Sequence, residues 1–250
     1  MEESVYLEMA AVEARHWWFT GRRRIIAQEI GRRLLPAPGV ARRVLEVGSG
    51  TGGNLELLKT FGDVEAVEPS AMARGLAERT PGVRMHDGGL PDRMPDFPDG
   101  FDLIAAFDVI EHVDEDAASI RALAGLLRPG GLIAVTVPAC ASLWSRHDER
   151  HHHKRRYSRQ GLKDLFSQPR LEIIRLTYFN SLLFPVAASV RLAERAGLIE
   201  SAGADRLPPP AVNGLLAGIF GAEAGLLRFL SPPFGLSLLL IARKTNEPVG

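Results

Sequence analysis

The run Val44-Leu45-Glu46-Val47-Gly48-Ser49-Gly50-Thr51-Gly52-Gly53-Asn54 restricts this chain more than any other feature. A short apolar run ends abruptly in glycines, and a helical stretch over 54–60 follows. Glycine lacks a Cβ, so such a loop turns tightly and lets its backbone touch a ligand. The helix behind it offers free amides and a positive dipole end. Gly48, Gly50 and Gly53 satisfy G-x-G-x-x-G, and Glu68 lies 20 residues beyond Gly48, at the end of the next apolar run. A carboxylate there can accept hydrogen bonds from both hydroxyls of a ribose. The spacing serves NAD and S-adenosylmethionine equally, and a glycine turn without a ligand is the plain alternative.

The rest of the chain alternates in the same way. Apolar runs at 64–67, 83–85, 103–107 and 132–137 are separated by helical stretches at 71–79 and 115–127. Strand–helix alternation with short connections predicts a parallel sheet covered on both faces. Further strands at 171–178 and 236–242 complete the expectation: an α/β, Rossmann-like, doubly wound and mostly parallel seven-stranded sheet. Residues 5–35 read as one helix, with Trp17, Trp18, Ile25, Ile26, Ile30 and Leu34 at near-helical spacing, ended by Pro36, Pro38 and Gly39. The expected division is an N-terminal helical cap at 1–38 and a Rossmann-like domain at 39–250. An apolar segment at about 180–234 is too long for a bare loop and reads as a helical insert before the last strand. Within it Leu215, Ile219, Ala222, Leu226 and Leu230 share one helical stripe, widened by Leu216, Phe220 and Leu227. Two expectations compete for this stripe. It packs on the domain or on a second copy in a homodimer, or it roofs a pocket for a hydrophobic or lipid-linked molecule. Arg191, Arg195 and Arg228 beside apolar faces add the prospect of peripheral membrane contact.

Composition narrows the classes. Lys+Arg and Asp+Glu are both 30, and this zero net charge argues against a nucleic-acid partner. Cys140 stands alone, so an internal disulfide and a cysteine-based zinc site are excluded, and a reducing compartment fits. The N-terminus is acidic first, without a signal pattern, and no apolar run reaches the roughly 18–20 residues of a membrane span. A cytoplasmic location is expected.

Four strings then carry a resemblance. They are Glu46 to Gly52; Val67-Glu68-Pro69-Ser70; Phe101-Asp102-Leu103-Ile104 with Phe107-Asp108-Val109-Ile110-Glu111-His112-Val113; and Leu127-Arg128-Pro129-Gly130-Gly131. In this order and spacing they resemble the class I S-adenosylmethionine-dependent methyltransferases. The last two are similar to the small-molecule branch that includes quinone-biosynthesis methyltransferases. A dinucleotide fold usually has an apolar residue where Glu46 stands. The resemblance covers roughly residues 40–140. It implies S-adenosyl-L-methionine as methyl donor and S-adenosyl-L-homocysteine as product. It further implies that Gly48 and Gly50 approach the methionine and ribose parts, and that Glu68, with Pro69 beside it, holds the ribose hydroxyls. Asp87, followed by Gly88, would meet the adenine amine, and Phe107 and Asp108 would lie near the methyl-bearing sulfur. Glu46 either contacts the cofactor through water or orients the loop. Arg22 or Arg23 either pairs with the cofactor carboxylate or belongs to a basic helix face packed by tryptophans.

Methyl transfer needs an aligned acceptor, exclusion of water and, for oxygen or nitrogen acceptors, a base. His112 is one candidate base, against a structural role beside Glu111. His147 is another, in the segment 145–158 after the fifth strand, at the sheet edge where such folds bind ligands. That segment reads as an acceptor loop with Arg155 or Arg156 gripping an anion, as a solvated polar loop, or as a metal site of His147, Asp148, His151 and His153. The expectation is no metal. The rivals are an NAD-linked oxidoreductase and a non-catalytic cofactor-binding regulatory protein. No N-P-P-Y-like string follows the fourth strand, which weighs against nucleic-acid methylation.

Overall fold

The computed structural model describes residues 3–34, 41–195, 197–198 and 207–246. Strands β1 (Arg43–Val47), β2 (Asp63–Val67), β3 (Arg84–His86), β4 (Phe101–Phe107), β5 (Leu127–Pro138), β6 (Leu171–Phe179) and β7 (Ser237–Lys244) form one sheet, ordered β3-β2-β1-β4-β5-β7-β6. The pairings from β3 through β5 are parallel, and β7 runs antiparallel to both β5 and β6. A mostly parallel, seven-stranded sheet is the expected one, and the structure adds its strand order. Central strands buried on both faces must be apolar at successive positions. Leu45, Val47, Ile104, Ala106, Ile133 and Val135 therefore feed the core under α5 (Asp116–Leu126) and α7 (Arg159–Leu165). Val44, Leu103, Ala105, Phe107, Leu132 and Ala134 feed the core under α2 (Trp17–Gly31), α3 (Leu55–Lys59) and α9 (Pro210–Leu226). The remaining helices are α1 (Glu3–Val12), α4 (Ala71–Ala77), α6 (Arg146–Arg150) and α8 (Phe184–Arg195). Leu127-Arg128-Pro129-Gly130-Gly131 reads as a turn, yet β5 runs through it, with a register shift opposite Phe101 and Leu103.

The N-terminal segment is two helices, not one. The break falls before His16, whose Nδ1 accepts from the amide of Trp18 at 3.2 Å and so caps α2. The usual sequence signal for such a start is Ser, Thr, Asp or Asn. Its absence hid the break. The ends expected at Pro36, Pro38 and Gly39, and the boundary between 38 and 39, lie outside the described residues.

β6 ends and β7 begins at the carboxyl edge of the parallel strands, where Phe179 and Pro138 both face Ser237. The insert therefore rises from that edge. Phe220 of α9 lies where a Cβ on Gly21 would come within 2.5 Å of its ring. It stacks on Trp18 at 5.3 Å and on Phe179 at 6.3 Å between centroids. Glu223 turns inward because both its carboxylate oxygens accept from the amide of Ser181 at 3.0 Å. The buried face of α9 is thus Phe220, Glu223, Ala224 and Leu227, and Leu215 and Leu226 of the apolar stripe face solvent. Arg195's side chain and residues 199–206 of the insert lie outside the described set. Among the described residues no helix is long and apolar enough to cross a membrane.

Phe220 has no exposed surface, and replacing it with alanine opens a cavity among three aromatic rings. Phe220→Ala should cost about 3–5 kcal/mol in urea unfolding. A loss under about 1 kcal/mol would mean that α9 is not part of the core.

Candidate functional site

The glycine loop is shaped by hydrogen bonds from both sides. The amide of Gly48 donates to the carbonyl of Val67 at 2.8 Å, and the amide of Gly50 donates to Glu68 Oε2 at 2.8 Å. Ser70 donates its amide to Glu68 Oε1 at 3.0 Å. Gly48 and Gly50 have φ of 69° and 53°, a left-handed conformation that favours glycine. The two glycines differ in what surrounds them. A Cβ on Gly48 would meet Val109 Cγ2 at 2.5 Å, whereas a Cβ on Gly50 would meet nothing within 4 Å. The space over Gly50, beside the Glu68 carboxylate, is open. Pro69 lies next, near Gly89.

Glu46 is buried under the loop. Its Oε1 accepts from Asn54 Nδ2 at 3.0 Å, and its Oε2 has no protein partner. Burial pushes its pKa up to about 8, against the pull of Asn54 and Arg22. Arg22 reaches the ends of β4 and β5. It donates to Thr136 Oγ1 and pairs with Asp108 Oδ2, both at 2.8 Å, and its guanidinium lies 5.6 Å from the centre of the Phe107 ring. Its Nε has no partner. Arg23 instead clips the carbonyls of Glu13 and Gly53 at 2.7 and 3.1 Å. Asp87 is exposed and paired with Arg74 at 2.8 Å. At Gly88 a Cβ would strike the carbonyl of Arg93 at 2.6 Å, so chain packing alone accounts for that glycine.

On the acceptor side a tight turn at Ile110–His112 follows β4. Glu111 has no exposed surface, and neither carboxylate oxygen has a hydrogen-bond partner. Burial and then the charge of Asp108 hold its pKa well above the usual carboxylate range. The His112 ring lies 4.8 Å from that of His153, and His147 lies 4.2 Å from His151 and 6.1 Å from His153. The two expected bases thus belong to one cluster of imidazoles. Burial, then His153, depresses the pKa of His112 to about 4.

Asp148 is the anchor of this loop. Burial alone would raise its pKa, but hydrogen bonds from His153 and Arg156 hold it well below the carboxylate range. Arg156 grips both its oxygens, at 2.8 and 2.9 Å, and the Ala139 carbonyl at 3.0 Å. Arg155 is bound to Asp116 Oδ2 at 2.7 Å and to the Asp114 carbonyl at 3.1 Å. The expectation that either arginine grips an anionic substrate is corrected, because both forks are spent on the fold. Asp148 is likewise unavailable to a metal. Among the described residues, the atoms able to ligate a cation together are those of Glu111, His112 and His153, within 4.8 Å of one another. Two surface depressions, one at Arg43, Glu65 and Arg84 and one at Arg159 and Ile174, lie away from this edge.

Sequence reading assigned no role to α1, yet it covers the loop. Thr51 Oγ1 donates to Glu13 Oε2 at 2.7 Å, and a Cβ on Gly53 would fall 2.3 Å from that oxygen. A side chain at residue 53 would have to displace the Glu13 carboxylate. No local pattern could have linked two residues so far apart in the chain.

The family model for a methyltransferase domain matches residues 18–176. The chain belongs to the methyltransferase-domain family. That match decides between the two readings of the glycine fingerprint, against the nicotinamide one. The chain is 35% identical over 101 residues to the trans-aconitate 2-methyltransferase of Rhodopseudomonas palustris, covering 39% of each chain. It is 31% identical over 140 residues to the malonyl-[acyl-carrier protein] O-methyltransferase of Enterobacter lignolyticus, covering 53% of this chain and 55% of the relative. It is 27% identical over 103 residues to the ubiquinone biosynthesis O-methyltransferase of Albidiferax ferrireducens, covering 38% of this chain and 41% of the relative. It thus spans about half or less of the curated relatives it matches. Two solved structures share the fold. The plantazolicin methyltransferase BpumL in complex with S-adenosylhomocysteine has a TM-score of 0.59 at 11% identity, covering 96% of both chains. An S-adenosylmethionine-dependent methyltransferase of Mesorhizobium loti has a TM-score of 0.55 at 16% identity, covering 85% of this chain and 95% of the other.

The buried Glu46 gives this methyltransferase domain a pH signature. Its folded pKa of about 8 lies above the ordinary 4.5. Between those values the unfolded chain has lost a proton that the folded chain keeps, so this group lowers stability as pH rises. Glu46→Gln should therefore gain stability relative to the parent from pH 5 to pH 8.5 in paired urea unfolding curves. A pH-independent difference would contradict the buried-carboxyl account.

Proposed function

We propose that this chain transfers a methyl group from S-adenosylmethionine to a hydrophobic small molecule. The observation that carries the reading is the open space over Gly50 beside the Glu68 carboxylate, within a methyltransferase domain. S-adenosylmethionine supplies a methyl group on a sulfonium, which an acceptor atom displaces in line to leave S-adenosylhomocysteine. Glu68 accepts from the ribose hydroxyls, with Pro69 shaping the turn beside it. Gly48 and Gly50 admit the ribose and methionine parts. Asp87, ahead of Gly88, faces the adenine amine. Arg22, with Nε unpartnered, supports the carboxylate end, and Phe107 and Asp108 border the reacting centre. Glu46 lies beneath the loop with one oxygen unpartnered, suited to orient it or to hold a water.

His112 is the better of the two bases. Its neutral imidazole lies one residue beyond the buried Glu111, with the His153 ring 4.8 Å away and His147 6.1 Å beyond that. His112 takes the acceptor proton, and the neighbouring imidazoles carry it outward.

The insert favours an apolar acceptor. Phe107 shares a core with Phe179, Leu183 and Phe220, and Arg191 of α8 donates to the Leu143 carbonyl at 3.1 Å, just before the histidine loop. Among the described residues every exposed large apolar side chain except Leu7 lies between Leu182 and Phe234. Phe229 is 79% exposed, with Arg228 over its ring at 5.3 Å. Such a surface suits an acceptor drawn from a lipid phase or a peripheral contact with a membrane. The relatives named for ubiquinone biosynthesis are consistent with that class. A homodimer through the same face is the second reading.

Two variants test the assignment. Glu68→Ala should weaken binding of S-adenosylhomocysteine by about tenfold or more, since hydrogen bonds to a charged group are worth about 1.5–3 kcal/mol. His112→Ala should lower turnover on a hydrophobic phenol by about a hundredfold or more and leave that affinity within twofold. Full turnover in His112→Ala would mean that alignment alone suffices. Binding without turnover on any acceptor would favour the regulatory reading.

A further inference from the structure

The Glu111 carboxylate has no exposed surface, and neither of its oxygens has a hydrogen-bond partner. Burial of that kind is costly, and such a group calls for an ion or a proton to meet it. Two imidazoles lie against it. Ligand atoms of Glu111, His112 and His153 fall within 4.8 Å of one another. The backbone ties the two segments together, because the amide of Lys154 donates to the carbonyl of Glu111 at 2.8 Å. His153 is oriented as well. Its Nδ1 lies 2.9 Å from Asp148 Oδ1, and the Arg156 fork fixes Asp148 at 2.8 and 2.9 Å. A carboxylate at Nδ1 makes that nitrogen the protonated one, and the lone pair on Nε2 points away from Asp148. Carboxylate–histidine pairs of this kind stand behind metal ligands, where they fix the tautomer and raise the basicity of the ligating nitrogen.

We propose that Glu111, His112 and His153 form a binding site for one divalent cation of the zinc, cobalt or ferrous iron class, with Asp148 supporting it from behind His153. Two imidazoles and a carboxylate suit such borderline metals, whereas magnesium and calcium take oxygen donors. Donors about 2.0–2.1 Å from one cation sit about 3–4 Å apart, so closing on it takes side-chain rotations of about 1 Å. The cation supplies the counter-charge that Glu111 lacks. Three protein donors leave coordination positions open. Glu111 lies in the turn that follows β4, on the edge that carries Phe107 and Asp108. Resting on the methyl-transfer reading above, an open position takes an oxygen of the acceptor. A coordinating nitrogen is not a base, so in the loaded chain His112 acts on the acceptor through the cation.

The test uses the full chain, stripped by a chelator and dialysed. Calorimetric titration with Zn²⁺ should show one site per chain, and Co²⁺ should give visible absorption bands that Zn²⁺ abolishes. Mg²⁺ should give no heat. Glu111→Gln keeps the shape and removes the charge. His153→Asn keeps a donor toward Asp148 and removes Nε2. Each should weaken Zn²⁺ by about a hundredfold or more. His152→Asn, at an exposed histidine of the same loop, should leave the affinity within twofold. Stripped Glu111→Gln should be at least as stable in urea as the stripped parent, so that its lost affinity is not a lost fold. At a hundredfold excess over the dissociation constant, Zn²⁺ should raise the Tm of the parent by about 5 °C and leave that of Glu111→Gln unchanged. No Zn²⁺ binding by the parent, parental affinity in both Glu111→Gln and His153→Asn, an equal loss in His152→Asn, or a preference for Mg²⁺ would overturn the proposal. The methyl-donor reading fails separately. A chain that takes up Zn²⁺ in this pattern and binds no S-adenosylhomocysteine would overturn that reading and leave the cation site standing.

Discussion

A carboxylate buried at the end of a strand must be met by donors, and Glu68 recruits them from two directions. The Gly50 amide comes from the loop after β1 and the Ser70 amide from the start of α4. Meeting the first of these bends the backbone into left-handed turns at Gly48 and Gly50. The same bend leaves open space where Gly50 has no side chain. The open space beside Gly50 thus goes with satisfying one charge.

A second buried charge organises the opposite side. Asp148 is clamped by Arg156, His153 and the Ser145 amide. That clamp fixes the loop after β5 and brings His153 against His112. Breaking such a cluster by removing one partner strands the others in the interior. The arginines that look like anion receptors in the sequence are therefore structural. What the cluster leaves beside Glu111 is the half-buried ring of His112, 4.8 Å from that of His153.

The seven-stranded sheet was legible because buried parallel strands must be apolar at successive positions, and the glycine string marked its own loop. The position of Glu68 at the end of β2, against the glycine loop, was legible from spacing alone. Other features were not. The break between α1 and α2 is capped by a histidine, which is not a usual cap. Which side of α9 meets the domain was not legible, because Glu223 is held inward by the Ser181 amide, a contact between distant residues. Glu13 carried no signal for the same reason, since its partners Thr51 and Arg23 lie on other elements. Local pattern records periodicity and turn chemistry, and it does not record which distant charge a side chain answers to.

The central claim is that the pocket over Gly50 takes an S-adenosyl ligand through Glu68. Side-by-side calorimetric titration of the unmodified chain with S-adenosylhomocysteine and NADH tests it most directly. The account predicts saturable one-to-one binding of S-adenosylhomocysteine and no measurable heat with NADH. Binding of NADH with no response to S-adenosylhomocysteine would contradict it.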